Sequence, residues 1–161
     1  MAATYEPIAT TTLGSAASSI TFNSIPATYT DLRLVLVGNN GVGSNSTYLR
    51  FNSDTGSNYS RTKLEGDGSA AASGRNTSGT YIIVGDNRTT IGLQTMDIFS
   101  YAGSTNKTVL CSTANDTNGA GTINVTVGLW RNTSAITTIV LSIADPFSAG
   151  TTATLYGILK A

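Results

Sequence analysis

The chain contains no histidine. That absence removes Ser-His-Asp and Cys-His nucleophile activation and most zinc and iron sites, because imidazole is the usual base or ligand in each. Cysteine occurs once, at Cys111, so no disulfide can close within the chain. Cys111 sits in an alternating run, Thr108-Val109-Leu110-Cys111, where a small buried thiol is expected rather than a nucleophile. Charge is scarce as well: 11% of residues are charged, against about a quarter in an ordinary domain. Nine basic residues, scattered singly from Arg33 to Lys160, balance nine acids. No basic stripe exists for a nucleic acid to follow, so no nucleic-acid partner is expected. No apolar run approaches the roughly 20 residues of a membrane-spanning helix. Met1–Thr12 lacks the basic start and apolar middle of a secretory leader. The expectation is no membrane partner, and synthesis in a cytoplasm that the protein leaves only as part of something larger.

Polarity comes instead from 27 Thr, 18 Ser and 13 Asn, with 17 Gly adding turn capacity. Disorder needs low hydrophobicity and high net charge. This chain is 40% hydrophobic with no net charge, so a folded chain is expected. Its 161 residues fit one domain, 1–161. Helix signals are nearly absent: no window places apolar residues at i, i+3, i+4 and i+7 between caps.

Short β-branched runs recur instead, between clusters of Gly, Asn, Ser and Asp. They predict strands over 5–13, 18–22, 31–37, 47–51, 80–84, 91–101, 107–112, 122–130, 136–143 and 152–159. In the third, Leu32, Leu34 and Leu36 face one way and Arg33 the other. In the eighth, Ile123, Val125, Val127 and Leu129 alternate with Asn124, Thr126 and Gly128. In the ninth, Ile139, Leu141 and Ile143 share a face. Ten short strands with almost no helix predict an all-β fold, a two-sheet antiparallel β-sandwich. A jelly roll is the commonest such arrangement with about eight main strands. An immunoglobulin-like sandwich lacks its buried Cys pair here. Gly38–Ser46 and Gly66–Gly79, rich in Gly, Ser and Asn, read as two long loops able to contact other subunits or ligands.

No catalytic, metal or cofactor site is predicted. With Glu6 and Glu65 the only glutamates, and Asp54, Glu65 and Asp67 clustered near loops, no glycosidase carboxylate pair stands out. Asp54-Thr55-Gly56-Ser57-Asn58 offers oxygen ligands on a turn, but Asp and Asn bonding their own backbone explains the pattern better than calcium does. Gly38-Asn39-Asn40-Gly41-Val42-Gly43 follows a strand, yet neither a helix nor a phosphate-loop lysine comes after it. The seven tyrosines mostly fall inside strand runs, where packing is expected. Trp130, beside Arg131, ends a strong strand and is expected in the core or at an interface. Ala2–Ile8 reads either as an arm adding a strand to a neighbour or as an ordinary first edge strand. The candidate interface residues are Tyr5, Glu6, Pro7, Ile8, Trp130 and Arg131.

Five segments carry a resemblance: Ser24–Leu36 (SIPATYTDLRLVL), Arg50–Ser60 (RFNSDTGSNYS), Ser104–Val109 (STNKTV), Gly128–Ser142 (GLWRNTSAITTIVLS) and Thr152–Ile158 (TATLYGI). Together and in this order they resemble a group of small β-rich virion proteins of tailed bacteriophages, of the kind found in aquatic and cyanobacterial phages. The resemblance spans Tyr5 to Ile158 and carries no catalytic residues. It implies a particle component made in a bacterial cytoplasm. The foremost role it implies is a capsid decoration or cement protein on the outer shell, with the major capsid protein as partner and a homotrimer as assembly. The alternative is a tail-fibre or receptor-binding domain that binds host-surface glycans.

Overall fold

A computed structural model describes residues 4–159. Among the described residues twelve strands form two sheets, and every strand pair is antiparallel. In chain order they are β1 (Tyr5–Thr12), β2 (Ala17–Phe22), β3 (Asp31–Gly38), β4 (Asn45–Phe51), β5 (Tyr59–Gly66) and β6 (Ala71–Gly79). There follow β7 (Ile82–Asn87), β8 (Gly92–Phe99), β9 (Lys107–Asn115), β10 (Thr122–Trp130), β11 (Ile139–Phe147) and β12 (Thr152–Ile158).

The larger sheet has the order β1-β12-β3-β8-β9-β10-β5-β6, and the smaller β2-β11-β4-β7. Without β5, β6, β9 and β10, the other eight strands pair 1-12-3-8 in one sheet and 2-11-4-7 in the other. That interleaving is the double Greek key of a jelly roll. The four remaining strands extend the larger sheet beyond β8, so the sandwich is lopsided: eight strands against four.

Alternation explains the core. On β3, Leu32, Leu34 and Leu36 turn inward and are buried, as the period-two pattern predicts. On β11, Ile139, Leu141 and Ile143 do the same from the opposing sheet. Each such side chain contributes roughly 1.5–3 kcal/mol by leaving water.

The strands run between two ends. The lower end holds Thr4 and Leu159 and the loops that follow β2, β4, β6, β8 and β10. There Phe51, Tyr59, Tyr101 and Trp130 are fully buried. Tyr59 and Trp130 stack with ring centroids 6.3 Å apart, and Phe51 lies 5.5 Å from Trp130. The upper end holds the turns that follow β1, β3, β5, β7, β9 and β11.

Two expectations are corrected. Gly66–Gly79 is not one long loop, because Ala71–Gly79 is β6, an edge strand paired only with β5. Its sequence, AASGRNTSG, is a poor strand former, and pairing with a neighbour rather than propensity makes it extended. A strand over 59–66 is likewise present where none is predicted. The loop after β3 does fall within Gly38–Ser46, and its Asn40 is buried in a bridge to Phe147.

Candidate functional site

The outer face of the larger sheet, which no other element covers among the described residues, is ordered in rows. Register places Val37, Leu93, Ala114, Ile123, Gly66 and Ala71 side by side across six strands, nearest the upper end. At a strand spacing of about 4.8 Å this row is about 24 Å wide. It carries no charge and no polar side chain. The next row down is Val35, Thr95, Ser112, Val125, Leu64 and Ser73. The third is Arg33, Asp97, Leu110, Val127, Thr62 and Arg75. Ile123 is 57% exposed, Leu64 58%, and Ile91, just beyond the first row, 72%. The top row, with Val125 and Leu64 just below it, is therefore an apolar patch in water, of the kind that marks interaction sites.

The alternation on β10 runs opposite to that on β3. Ile123, Val125, Val127 and Leu129 point outward, while Asn124, Thr126, Gly128 and Trp130 are buried. Above Trp130, which belongs to the aromatic cluster of the lower end, the inner side must be small because the smaller sheet's edge strand lies close against it. A Cβ on Gly128 would stand 2.7 Å from Ile82 Cδ1, and one on Gly85 would stand 2.1 Å from Thr113 Oγ1.

Beneath the apolar patch the interior is polar. Asn40, Thr47, Asn87, Gln94, Thr113, Asn115, Asn124 and Thr151 are all buried towards the upper end. Some are bonded: Asn115 and Gln94 both donate to the Asp86 carbonyl at 3.4 Å. Asn40 Nδ2, Thr47 Oγ1, Asn87 Nδ2 and Gln94 Oε1 have no hydrogen-bond partner among the described residues. An unpartnered buried polar group costs about 1–3 kcal/mol. The upper end thus buries polar side chains beside Leu36 and Phe147, some of them unpartnered, beneath an apolar outer row.

The lower end is tightly bonded within. Asp54 opens a turn in which its carboxylate accepts from Gly56 N (2.8 Å), Asn58 Nδ2 (2.9 Å) and Trp130 Nε1 (2.7 Å). Burial pushes the Asp54 carboxyl up, but these three hydrogen bonds outweigh it and hold it below the ordinary aspartate value. The turn is the backbone-bonding Asp/Asn arrangement expected from its sequence. Tyr59 is pushed up to about 12 by burial, its hydroxyl accepting from Phe51 N at 3.1 Å. Lys107 is fully buried, and its ammonium donates to the carbonyls of Gly103 (2.5 Å), Thr105 and Thr133 (3.4 Å). Desolvation moves its pKa below the ordinary lysine value. Cys111 is buried, and burial raises its thiol pKa well out of the reactive range.

The candidate interface residues divide. Tyr5, Glu6 and Pro7 pair with Ile158, Gly157 and Tyr156, so with Ile8 they belong to β1, the first edge strand of the larger sheet. Pro7 suits that place, since an edge strand has one side without a ladder and a register shift follows directly. Ile8 packs against the core, and Tyr29 Oη donates to Glu6 Oε2 at 3.3 Å. Ala2, within the proposed arm, lies outside the described residues. The Trp130 side chain is fully buried in the core. Arg131 is exposed, and its Nη2 donates to the carbonyls of Ser57, Thr77 and Tyr59.

No protein-family model matches this chain, and no curated protein matches it in sequence.

The apolar row was missed by sequence reasoning because its members lie on six strands scattered from residue 37 to residue 123. The one local signal, alternation on Thr122–Trp130, is the same whichever face it points to.

Proposed function

We propose that this chain is a structural protein of a tailed-phage particle, a capsid decoration protein that attaches by the upper half of its outer sheet face. The observation that carries this reading is the uncharged row from Val37 through Ile123 to Ala71. Exposed apolar surface of this width is costly in water and is relieved by covering it. Attachment there would also shelter the unpartnered polar groups buried beneath that row. The resemblance of the five quoted segments to phage virion proteins supports the setting, with the major capsid protein as the partner and a trimer as the assembly.

Quantitative mass spectrometry of purified particles tests the proposal, through the copy number of this chain relative to the major capsid protein. A ratio near one is expected. A few copies per particle would overturn decoration and move the chain to the tail or a vertex, as a tail-fibre or receptor-binding domain. In the same particles, Val125→Asp should abolish incorporation while leaving the isolated chain folded.

A further inference from the structure

The outer face changes chemistry along its strands. In its lower half a shallow groove of about 430 Å³ runs over β10 between β9 on one side and β5 and β6 on the other. Val127 and Leu129 form its floor, and Ser60, Thr62, Thr77 and Thr108 bring hydroxyls to its walls. Arg75 and Arg131 stand at its rim, Arg61 lines it as well, and no acidic residue does. In a chain with no net charge, this is a local concentration of uncompensated positive charge. Arg131 is anchored by three backbone carbonyls, none of which neutralises it. Arg75, opposite Thr62 on the edge strand, has neither a hydrogen bond nor an ion pair from its guanidinium among the described residues.

We propose that this groove binds an acidic saccharide, an oligosaccharide bearing carboxylates. A free guanidinium fork matches a planar carboxylate with two parallel hydrogen bonds. The Ser and Thr hydroxyls both donate and accept, as a row of sugar hydroxyls requires. The Val127–Leu129 floor fits the C–H face of a pyranose. The groove is open, so a single site binds weakly, and many copies on one particle would strengthen binding through avidity. The inference concerns binding alone: it holds whether the chain sits on a shell or on a tail, and copy number does not bear on it.

The test is an NMR titration of the full chain with a set of short carboxylated oligosaccharides containing galacturonate, glucuronate or sialate. A neutral glucan of equal length and inorganic phosphate are the comparison probes. At least one acidic saccharide should bind saturably, with shifts centred on the Val127 and Leu129 amides, and the neutral glucan should not. Arg75→Gln should weaken binding about tenfold or more, the loss expected of a charge-assisted bidentate contact, with the unfolding midpoint unchanged. Failure of every acidic saccharide to saturate would overturn the proposal, as would shifts confined to the upper end, equal binding of the neutral glucan, or no effect of Arg75→Gln. Phosphate binding as tightly as the best saccharide would reduce the groove to a bare anion site and overturn it too.

Discussion

β3 and β10 lie in one sheet with two strands between them, and both alternate apolar with polar residues. β3 turns its leucines inward, and β10 turns its isoleucine and valines outward. The difference comes from what lies across the sandwich. β3 belongs to the jelly-roll half of the larger sheet, where there is room for Leu32, Leu34 and Leu36 to fill. β10 belongs to the extension, where β7 comes so close that Gly128 is needed under Ile82. A strand with one crowded face and one open face puts its small and polar residues on the crowded side, and its large apolar residues must then face water or a partner. An apolar alternation therefore does not by itself mark the side of a strand that the chain's own core covers.

Paired truncations test the contrast most strongly. Leu34→Ala should destabilise the isolated chain by about 2–5 kcal/mol, as for other buried leucines. Val125→Ala should cost no more than about 0.5 kcal/mol, as at an ordinary surface site. Urea unfolding of both variants reads the difference directly. Equal losses would mean that the outer face of β10 is already covered in the free protein.

Gly128→Ala gives a smaller and sharper effect. Its new methyl would press on Ile82, and overpacking of this kind costs about 1–3 kcal/mol. Ile82→Val should cost less in the Gly128→Ala chain than in the native chain, because the Cδ1 atom nearest the new methyl is gone while Cγ2 and Cγ1, at 2.9 and 3.0 Å, remain. An equal cost of Ile82→Val in both backgrounds would mean that crowding by β7 is not what keeps the inner side of β10 small there.

The smallest expected effect is local to the extension. Asp67 caps the β5–β6 turn, its Oδ1 accepting from Ala70 N (2.8 Å), Ser69 N (2.9 Å) and Ser69 Oγ (2.8 Å). These bonds lower its pKa from 3.8 to about 2. A depressed folded-state pKa contributes stability above the unfolded value and loses it as pH falls through the folded one. Amide exchange in the β5–β6 hairpin should therefore accelerate relative to β3 between about pH 4 and pH 2. Asp67→Asn should remove that pH step, and a step that persists would assign it to another carboxylate.

Much of the molecule was legible in its sequence. Leu32-Leu34-Leu36 and Ile139-Leu141-Ile143 were read on the correct shared faces, because burial follows alternation wherever the opposing sheet is present. The Asp54 turn was read from its local chemistry, which needs nothing distant beyond Trp130. β6 was not legible, since Ala, Ser, Gly and Asn extend there only because β5 offers a ladder. The candidate surface was less legible still. Arg131 was named, but Arg75, Val127 and Leu64 reach the same face only through pairing across β5, β6 and β10.

Sequence alone determined that this chain would be built of strands with few helices, that its turns would fall at Gly, Asn, Ser and Asp, and that its apolar residues would recur every second position. Those properties depend on neighbours a few residues apart. Only the tertiary structure decided how twelve strands divide between two sheets, that four of them would extend one sheet past the other, and which side of β10 would meet water. A period of two is indifferent to the two faces of a strand. The choice between them is made by non-local packing, here by an edge strand that arrives forty residues earlier in the chain and leaves no space beneath it.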